Sequence, residues 1–501
     1  MKASTAPRHE REQSISPPRL GTAAKPTARV THGQLLALAS GLVGIQFCWA
    51  VQVGYVTKAL LELGLADRFV SYAWLAGPIA GILVQPIVGV LSDRCTSRLG
   101  RRRPFLIVGT AFTFFCLLSF SFARQIGHAS GDAAEAEVYP RALLLSIISF
   151  WALDFAINAA QGPLRALLAD MVPPEQHKLG NAYFAFGTGV GNCAGSFLGS
   201  LPLSRALFFF PGDLQALYSI AACVLLVTMG ITVFCVKETP LGYEAVPSSA
   251  TAPHYEAVEN LEIEQRQVGF FAAAKIAPYP FYETFLVQCF TWFAWFSLFV
   301  FGTSWVGKEV LNGDFNAKEG SYLRELYDAG VRMGNLGIGL QSVLTILTAP
   351  LLPSLIAKTS MQVVYVIASF MLGGALVCTL FLHYAWQAWF ATVLLASTGF
   401  AWAVTMTVPW SLMSEAVSAV APERAGIYFT LFNLSQCLPE VVVSLVAEEV
   451  ERKTHSQAAM LALGGVAALL AGALILALGL GRPGGQEEVL ENDGLSEIPS
   501  P

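Results

Sequence analysis

The sequence predicts an all-α membrane protein with twelve transmembrane helices in two halves of six. Three observations support this: an apolar composition, twelve apolar stretches of membrane-spanning length, and one long polar segment after the sixth stretch. The chain has 501 residues, of which 54% are hydrophobic and 13% are charged, and its mean hydropathy is +0.55. Soluble domains are about one quarter charged. Most of this chain must therefore lie where ions are costly, as they are in a lipid bilayer.

Each predicted span is close to the roughly 20 apolar residues that cross a bilayer. The spans lie near 35–57, 71–91, 104–122, 142–168, 180–201, 215–236, 281–306, 331–353, 361–383, 388–412, 425–447 and 458–480. The longest internal polar segment separates the sixth span from the seventh. We therefore divide the chain into a disordered tail (1–34), an N-terminal six-helix bundle (35–236), a linker (237–280), a C-terminal six-helix bundle (281–481) and a second tail (482–501).

The distribution of lysine and arginine predicts the orientation, because these residues are enriched in cytoplasmic loops. With both termini in the cytoplasm, that side holds 18 of the 30 Lys and Arg residues and the other side holds 11, counting Arg332 at the start of the eighth span, while Arg165 lies inside a span. We therefore predict cytoplasmic N- and C-termini. Residues 1–34 lack the apolar core of a signal peptide. The plasma membrane is the default location, and a vacuolar membrane is the alternative.

The composition disfavours several classes of function. The net charge is −5 and the basic residues lie in short loops, so no basic face is available for nucleic acid. The nine cysteines lie mostly in apolar stretches without CxxC pairs, and we interpret them as packing residues. HExxH, Walker lysine and GxSxG motifs are absent from the sequence. We therefore predict no enzyme activity, no metal and no cofactor.

A glycine, an aspartate and a basic run lie between the second and third spans. Gly89 would allow two helices to approach closely, and Asp93 can cap a helix N-terminus or pair with an arginine. A basic run alone would also act as a topology signal, but the spacing favours a gate on the cytoplasmic side. The predicted gate residues are Gly89, Asp93, Arg94, Gly100, Arg101 and Arg102.

This segment resembles the G-x-x-x-D-R…G-R-R signature of the major facilitator superfamily, in the longer form of the proton-coupled sucrose symporters. Four further stretches are similar to the same family: 44–52, 74–89, 153–170 and 330–337. The resemblance extends over nearly all of the chain between the two tails and is strongest in the first six spans. It implies the major facilitator fold with pseudo-symmetric halves. It also implies symport of protons with sucrose, or with another disaccharide or glucoside, by alternating access.

The fourth span carries a polar stripe of four residues. Asp154, Asn158, Gln161 and Arg165 are four, three and four residues apart, which places them on one helical face. Such a stripe should face the bundle interior or a water-filled cavity, although a structural hydrogen-bond network is an alternative. The resemblance implies that Asp154 is the proton-coupling site. It also implies that Arg165 is essential, either for binding the substrate or for releasing the proton.

Neutral polar and aromatic side chains complete the predicted substrate site. Asn158, Gln161, Gln46 and Gln52 offer amide donors and acceptors, and Arg165 offers a planar fork of five donors. Trp49 lies between the two glutamines of the first span and can stack on a sugar ring. The predicted partners are therefore a small-molecule sugar, protons and membrane lipid. The oligomeric state stays open, and a monomer is compatible with the sequence.

The fifth span repeats glycine every four residues, at 187, 191, 195 and 199. Small residues at this spacing form a smooth stripe on one helical face, against which another helix can pack closely. We expect this stripe to form the surface on which the two halves slide.

Two places depart from the sucrose symporter pattern. At the end of the seventh span the plant sequence F-D-T-D-W-M-G-R-E is replaced by F-G-T-S-W-V-G-K-E, which places Gly302, Ser304 and Lys308 where that family has two aspartates and an arginine. The sugar therefore stays open. In the eleventh span Glu440 replaces a glutamine, and it is either a second titratable site or an exposed end near the outer surface. The alternative functions are a carrier of another sugar or small organic solute, and a sensor without transport.

Overall fold

The structure is a computed structural model that describes residues 19–20, 29–93, 95–133, 136–173, 176–238, 243–244, 279–318, 320–420 and 425–482. Within these ranges the chain forms twelve long helices, joined by short helical turns and loops. One short antiparallel pairing joins Arg19–Leu20 to Tyr243–Glu244.

We number the long helices α1 to α12 in chain order. The first six are α1 (His32–Glu62), α2 (Ala76–Asp93), α3 (Arg103–Ser121), α4 (Pro140–Met171), α5 (His177–Gly199) and α6 (Asp213–Cys235). The others are α7 (Tyr279–Trp305), α8 (Tyr322–Thr348), α9 (Met361–Cys378), α10 (Ala388–Ser397, Gly399–Thr405 and Val408–Val420), α11 (Ala425–Thr454) and α12 (Gln457–Leu478). A short helix, Asp67–Ala73, precedes α2, and a π-helical segment, Val306–Val310, follows α7.

The predicted all-α class is confirmed. In the described part of the chain, eleven helices are long and apolar enough to cross a membrane. The remaining long helix is α5, whose glycines and polar residues give it a weaker hydropathy. It packs against α1 and α8 inside the bundle, so it lies where the predicted fifth span requires a helix.

The helix ends differ from the predicted spans for local reasons. α1 continues to Glu62 and α11 continues to Thr454. The predicted spans stopped earlier because they were limited to apolar residues, whereas the last turns of both helices are charged. α10 is interrupted twice, and its third segment has Pro409 in its first turn, where a missing N–H costs little. α4 runs unbroken through Pro163.

The two halves repeat one packing pattern. In the first half α1 packs on α5 and α6, and α3 packs on α4 and α6. In the second half α7 packs on α11 and α12, and α9 packs on α12. The halves meet where α5 packs on α8 and α2 packs on α11. This exchange is also pseudo-symmetric, since α5 corresponds to α11 and α8 corresponds to α2.

We call the end of the bundle where α1 begins and α12 ends the terminal end. The opposite end, where α1 ends and α8 begins, is the far end. Both tails therefore leave from the terminal end. This is the arrangement that an even number of spans requires.

The glycine stripe of α5 has a different role from the expected one. Added Cβ atoms would lie 2.9 Å from Ala39 O at Gly187 and 2.9 Å from Phe47 O at Gly195. Both neighbours belong to α1, which is in the same half, so most of the stripe fixes α5 to α1 and gives the halves no surface to slide on. Gly189, on another face of α5, meets Ile346 of α8, and Gly199 meets Asn335 of α8.

Candidate functional site

The four side chains of the polar stripe on α4 become more exposed from Asp154 toward the terminal end. Asp154 is completely buried, Asn158 is 4% exposed, Gln161 is half-buried and Arg165 is exposed. All four share one face of a continuous helix, so the exposure of Arg165 means that the space beside α4 is open at the terminal end. The stripe thus lines the interior between the halves and is closed off at the level of Asp154.

Asp154 has an unusual environment for a carboxyl group. Neither of its oxygens has a hydrogen-bond partner among the described residues, although the side chain is fully buried. Its Oδ2 lies 3.5 Å from the position of a Cβ at Gly77 of α2. A buried carboxylate without a partner is costly to keep ionised, so Asp154 is suited to carry a proton in this state.

Asn158 joins α4 to α2. Its Nδ2 donates to the main-chain oxygen of Asp154 at 2.9 Å, and its Oδ1 accepts from Nε2 of Gln85 at 2.6 Å. Gln85 lies in an otherwise apolar part of α2 and was not among the predicted site residues. Its polar side chain inside a membrane span was the signal that could have identified it.

The predicted site residues of α1 lie at different places. Nε1 of Trp49 donates to Oε1 of Gln161 at 3.3 Å, which brings two of the predicted residues together. Gln52 is fully buried, and its amide has no hydrogen-bond partner in the described part of the chain. Gln46 faces α5, since its Cβ lies 2.9 Å from the Cβ position at Gly191. Trp49 therefore contacts the α4 stripe, whereas Gln46 packs against α5 and Gln52 is enclosed without a polar partner in the described ranges.

The predicted gate has an ionic network at the terminal end. Arg101 and Arg102 both pair with Asp170 of α4, with Arg102 Nε 2.9 Å from Asp170 Oδ2. The main-chain N–H of Arg102 donates to Glu238 Oε2 at 2.9 Å. Gly100 has φ +106° and a Cβ there would clash with the Glu238 carboxylate, so only glycine suits this turn.

Two parts of the gate prediction have a different outcome. Close helix packing was expected at Gly89, but a Cβ there meets no atom of the described residues within 4 Å. This is consistent with an open terminal end. Arg94 and the side chain of Asp93 lie outside the described residues.

Ion pairs join the two halves at the far end. Lys58 Nζ lies 2.7 Å from Asp328 Oδ1, and Arg324 pairs with Glu62, so α1 is tied to α8 twice. Below these pairs the Thr57 hydroxyl donates to the main-chain oxygen of Val300 in α7 at 3.0 Å. None of these residues was predicted to belong to a site, because the sequence of a loop or a helix end does not indicate its ion-pair partner. Together they close the far end.

The departures from the family pattern have structural roles at the far end. The Ser304 hydroxyl donates to Gln457 Oε1 at 2.9 Å, and Lys308 pairs with Glu451 at 3.3 Å. Glu309 accepts from the Ser456 hydroxyl at 2.8 Å and from main-chain N–H groups at the start of α12. This carboxylate caps a helix N-terminus. The segment after α7 therefore anchors α12.

Glu440 lies inside α11 and is half-buried. It belongs to the second half, whereas Asp154 belongs to the first. Of the two interpretations made from the sequence, an exposed helix end is wrong, because α11 continues past Glu440 to Thr454. The remaining interpretation, a second titratable site, stays a prediction.

The comparisons with known proteins agree with this architecture. The model of the Major Facilitator Superfamily matches residues 38–444. Sucrose transport protein SUC3 of Arabidopsis thaliana is 31% identical over 478 residues, covering 81% of this chain and 80% of the relative. Sucrose transport protein SUC4 of the same plant is 32% identical over 456 residues, covering 86% of this chain and 85% of the relative. The chain belongs to the Major Facilitator Superfamily and, within it, to the sucrose transport proteins.

Solved structures share the fold at low sequence identity. The inward open conformation of the xylose transporter XylE from E. coli has a TM-score of 0.59 at 14% identity and covers 91% of this chain and 98% of its own. A peptide transporter POT in complex with sulfate has a TM-score of 0.61 at 12% identity and covers 91% and 96%. These similarities confirm the predicted major facilitator fold and carry no information on the substrate.

Proposed function

We propose that this protein is a secondary active transporter that moves sucrose, or a related disaccharide or glucoside, together with protons. The observation that carries the proposal is the Asp154 carboxyl group, which is fully buried and has no hydrogen-bond partner in the described ranges. A protonated carboxyl is neutral and tolerates this environment, whereas a carboxylate needs water or a cation. Asp154 would therefore gain its proton when it is enclosed and lose it when its surroundings open.

The sugar-binding part of the proposal depends on the residues beside Asp154. Asn158, Gln161 and Gln85 present amide groups along one wall, and Trp49 adds an aromatic face. Arg165 is exposed on the same face of α4 and forms no ion pair with a described side chain. Its five donors are available for sugar hydroxyls. The two relatives are named as sucrose transport proteins, which supports sucrose as the first substrate to test.

Alternating access requires two states with opposite ends open. The paired far end and the exposed Arg165 support one of them, closed at the far end and open at the terminal end. We further propose that the terminal end is cytoplasmic, which makes this state inward-facing, with residues 35–236 and 281–481 as the two moving halves. The plasma membrane is the proposed location, and a vacuolar membrane is the alternative.

The test is sugar uptake into proteoliposomes that contain the full-length chain, with and without an imposed proton gradient. We expect gradient-driven accumulation of radiolabelled sucrose. Asp154→Asn should abolish accumulation but leave sucrose exchange between equal concentrations intact, because exchange needs no net proton transfer. Asp314→Asn, the same change at an exposed loop position, is the matched control and should accumulate sucrose normally.

Other outcomes would separate the alternatives. Sucrose accumulation by Asp154→Asn would contradict the role of Asp154. Accumulation of maltose or glucose in place of sucrose would keep the mechanism and change the substrate. Absence of uptake and exchange for all three sugars, with correctly folded protein, would favour a carrier of another solute or a sensor.

A further inference from the structure

One face of α11 lies against α2. A Cβ at Gly81 of α2 would lie 2.8 Å from Cys437 Sγ and 3.9 Å from Asn433 Nδ2. Nearer the far end, the Tyr72 hydroxyl hydrogen-bonds to Glu448 of α11. The segment from Tyr72 to the end of α2 therefore runs antiparallel to α11. The contacts of Gly81 and of Tyr72 fix the register of the two segments.

This register brings Glu440 to the level of Gly77. Glu440 follows Cys437 by three residues, so it lies on the same face of α11. Gly77 lies four residues nearer the far end than Gly81. The same rise along α11 is also four residues, and counted from Cys437 toward the far end it reaches the turn that contains Glu440. On the other side of Gly77 lies Asp154, with Oδ2 3.5 Å from the Cβ position. Gly77, which has no side chain, is thus the part of α2 that lies between the two carboxyl groups.

We propose that Glu440 is a second proton-binding group, which exchanges protons with Asp154 across Gly77 while the far end is closed. The proposal deepens the proposed function and depends on it for its role in transport. Asp154 belongs to the first half and Glu440 to the second, so the pair links proton binding to the contact between the halves. No hydrogen bond joins the two groups in this state, so H⁺ would move between the carboxyl oxygens through an intervening water molecule, with no other reactant.

The surroundings of Glu440 contain few competing charges. Cys437 precedes it by one turn of α11, and Asp154 lies beside Gly77 of α2. Of the elements that pack on α11, α12 has no ionisable residue, and α2 has none before Asp93. α7 has Tyr279, Tyr282, Glu283 and Cys289 near its terminal end, the third segment of α10 has Glu415, and the short helix before α2 has Asp67, Arg68 and Tyr72.

Two close carboxyl groups hold one proton more tightly than either does alone, because a second negative charge opposes release. Removing Glu440 should therefore weaken proton binding by Asp154. Glu440 is half-buried and Asp154 is fully buried, so Glu440 is also the better connected of the two to water. It would pass protons to Asp154.

The first experiment measures gradient-driven sucrose uptake against pH in proteoliposomes. For Glu440→Gln we expect the pH of half-maximal uptake to fall by about one unit, since charge neighbours shift carboxyl titration by this order, with sucrose exchange retained. Glu449→Gln is the matched control, because this glutamate of α11 is 49% exposed and pairs with Arg452 and Lys453 at the far-end surface. It should keep the wild-type profile.

A second variant protects the test against misfolding of Glu440→Gln. Glu440→Asp keeps a carboxyl group at this position and withdraws it from Asp154 by one methylene group. It should shift the profile in the same direction by a smaller amount, because the charge that opposes proton release is farther away. If neither variant shifts the profile, while Asp154→Asn loses accumulation, the pair is refuted and the proposed function stands.

The second experiment needs no transport, so it separates failure of the pair from failure of the proposed function. Infrared absorption of protonated carboxyl groups is followed against pH in wild type, Asp154→Asn and Glu440→Gln. We expect each variant to lose one carboxyl signal, and the remaining one to titrate at lower pH. An unchanged midpoint for the remaining carboxyl would overturn the pair.

Discussion

The two ends of the bundle use their charges differently. At the far end Lys58–Asp328 and Arg324–Glu62 connect one half to the other. At the terminal end the described pairs of Arg101 and Arg102 with Asp170 stay within the first half. Charges that connect the halves can be broken by a rocking motion, whereas charges within one half move with it. The far-end pairs should therefore set the balance between states, and the terminal-end pairs should set the stability of the fold.

Arg102→Gln should have the largest effect, on stability. Arg102 is 5% exposed, pairs with Asp170 and donates to the Ser92 hydroxyl at 2.6 Å. Breaking a buried pair from one side costs roughly 3–5 kcal/mol, so the thermal unfolding temperature in detergent should fall strongly. Arg98→Gln makes the same change at an exposed position of the same loop and should leave it unchanged. An equal fall of the unfolding temperature in both variants would show that the buried ion-pair network contributes no more to stability than an exposed arginine of the same loop.

Glycine-to-alanine changes at the two ends should have opposite effects on stability. At the far end a Cβ at Gly330 would lie 2.6 Å from the main-chain nitrogen of Gly307, so Gly330→Ala should destabilise by about 1–3 kcal/mol through overpacking.

At the terminal end a Cβ at Gly89 meets no atom of the described residues within 4 Å. Gly89→Ala should keep or raise the unfolding temperature, since alanine suits a helix better by roughly 0.5–1 kcal/mol. Under the proposed alternating access, it should slow sucrose exchange by hindering closure. A stable Gly330→Ala or an unstable Gly89→Ala would contradict the assignment of the closed and open ends.

Arg324→Gln should have the smallest effect on stability and a clear effect on the state. Both side chains of the Arg324–Glu62 pair are less than a quarter exposed. Its loss should raise the ratio of open to closed far ends about fivefold, which corresponds to roughly 1 kcal/mol. The measurement is maleimide labelling of Thr303→Cys, a buried reporter in α7, in a background without the exposed cysteines 223, 235 and 378.

The control for this measurement is Arg452→Gln in the same reporter background. Arg452 pairs with Glu449 within α11, so this pair does not connect the halves. We expect its labelling rate to match that of the reporter alone. Equal labelling rates in the Arg324 and Arg452 variants would show that the bridging pairs do not hold the far end closed.

Most of the fold could be predicted from the sequence, because a bilayer demands helices of fixed apolar length. α9 and α12 are apolar throughout, and their observed ends lie within a few residues of the predicted ones. The partner of the α5 glycine stripe could not be predicted, since a smooth surface does not indicate which helix packs on it. The break of α10 before Pro409 was also missed, because the apolar pattern continues through it.

The candidate site was predictable where polarity stands out against an apolar background. Asp154 and Asn158 fall on one buried face, as their spacing suggested. Trp49 and Gln161 were both predicted for the site, and the structure adds the contact between them. Gly77 was not identified, since its importance depends on two carboxyl groups from other helices. The far-end pairs involve residues hundreds of positions apart in the chain, and no local pattern records such a distance.

The weak hydropathy of α5 has a practical consequence for experiments on cells. A hydropathy count finds eleven spans, and an odd number would place the two tails on opposite faces of the membrane. A fluorescent protein or epitope fused after Arg482 would then be sought in the wrong compartment. Because His177–Gly199 crosses the bundle as well, tags at both tails should be protected from external protease together or digested together.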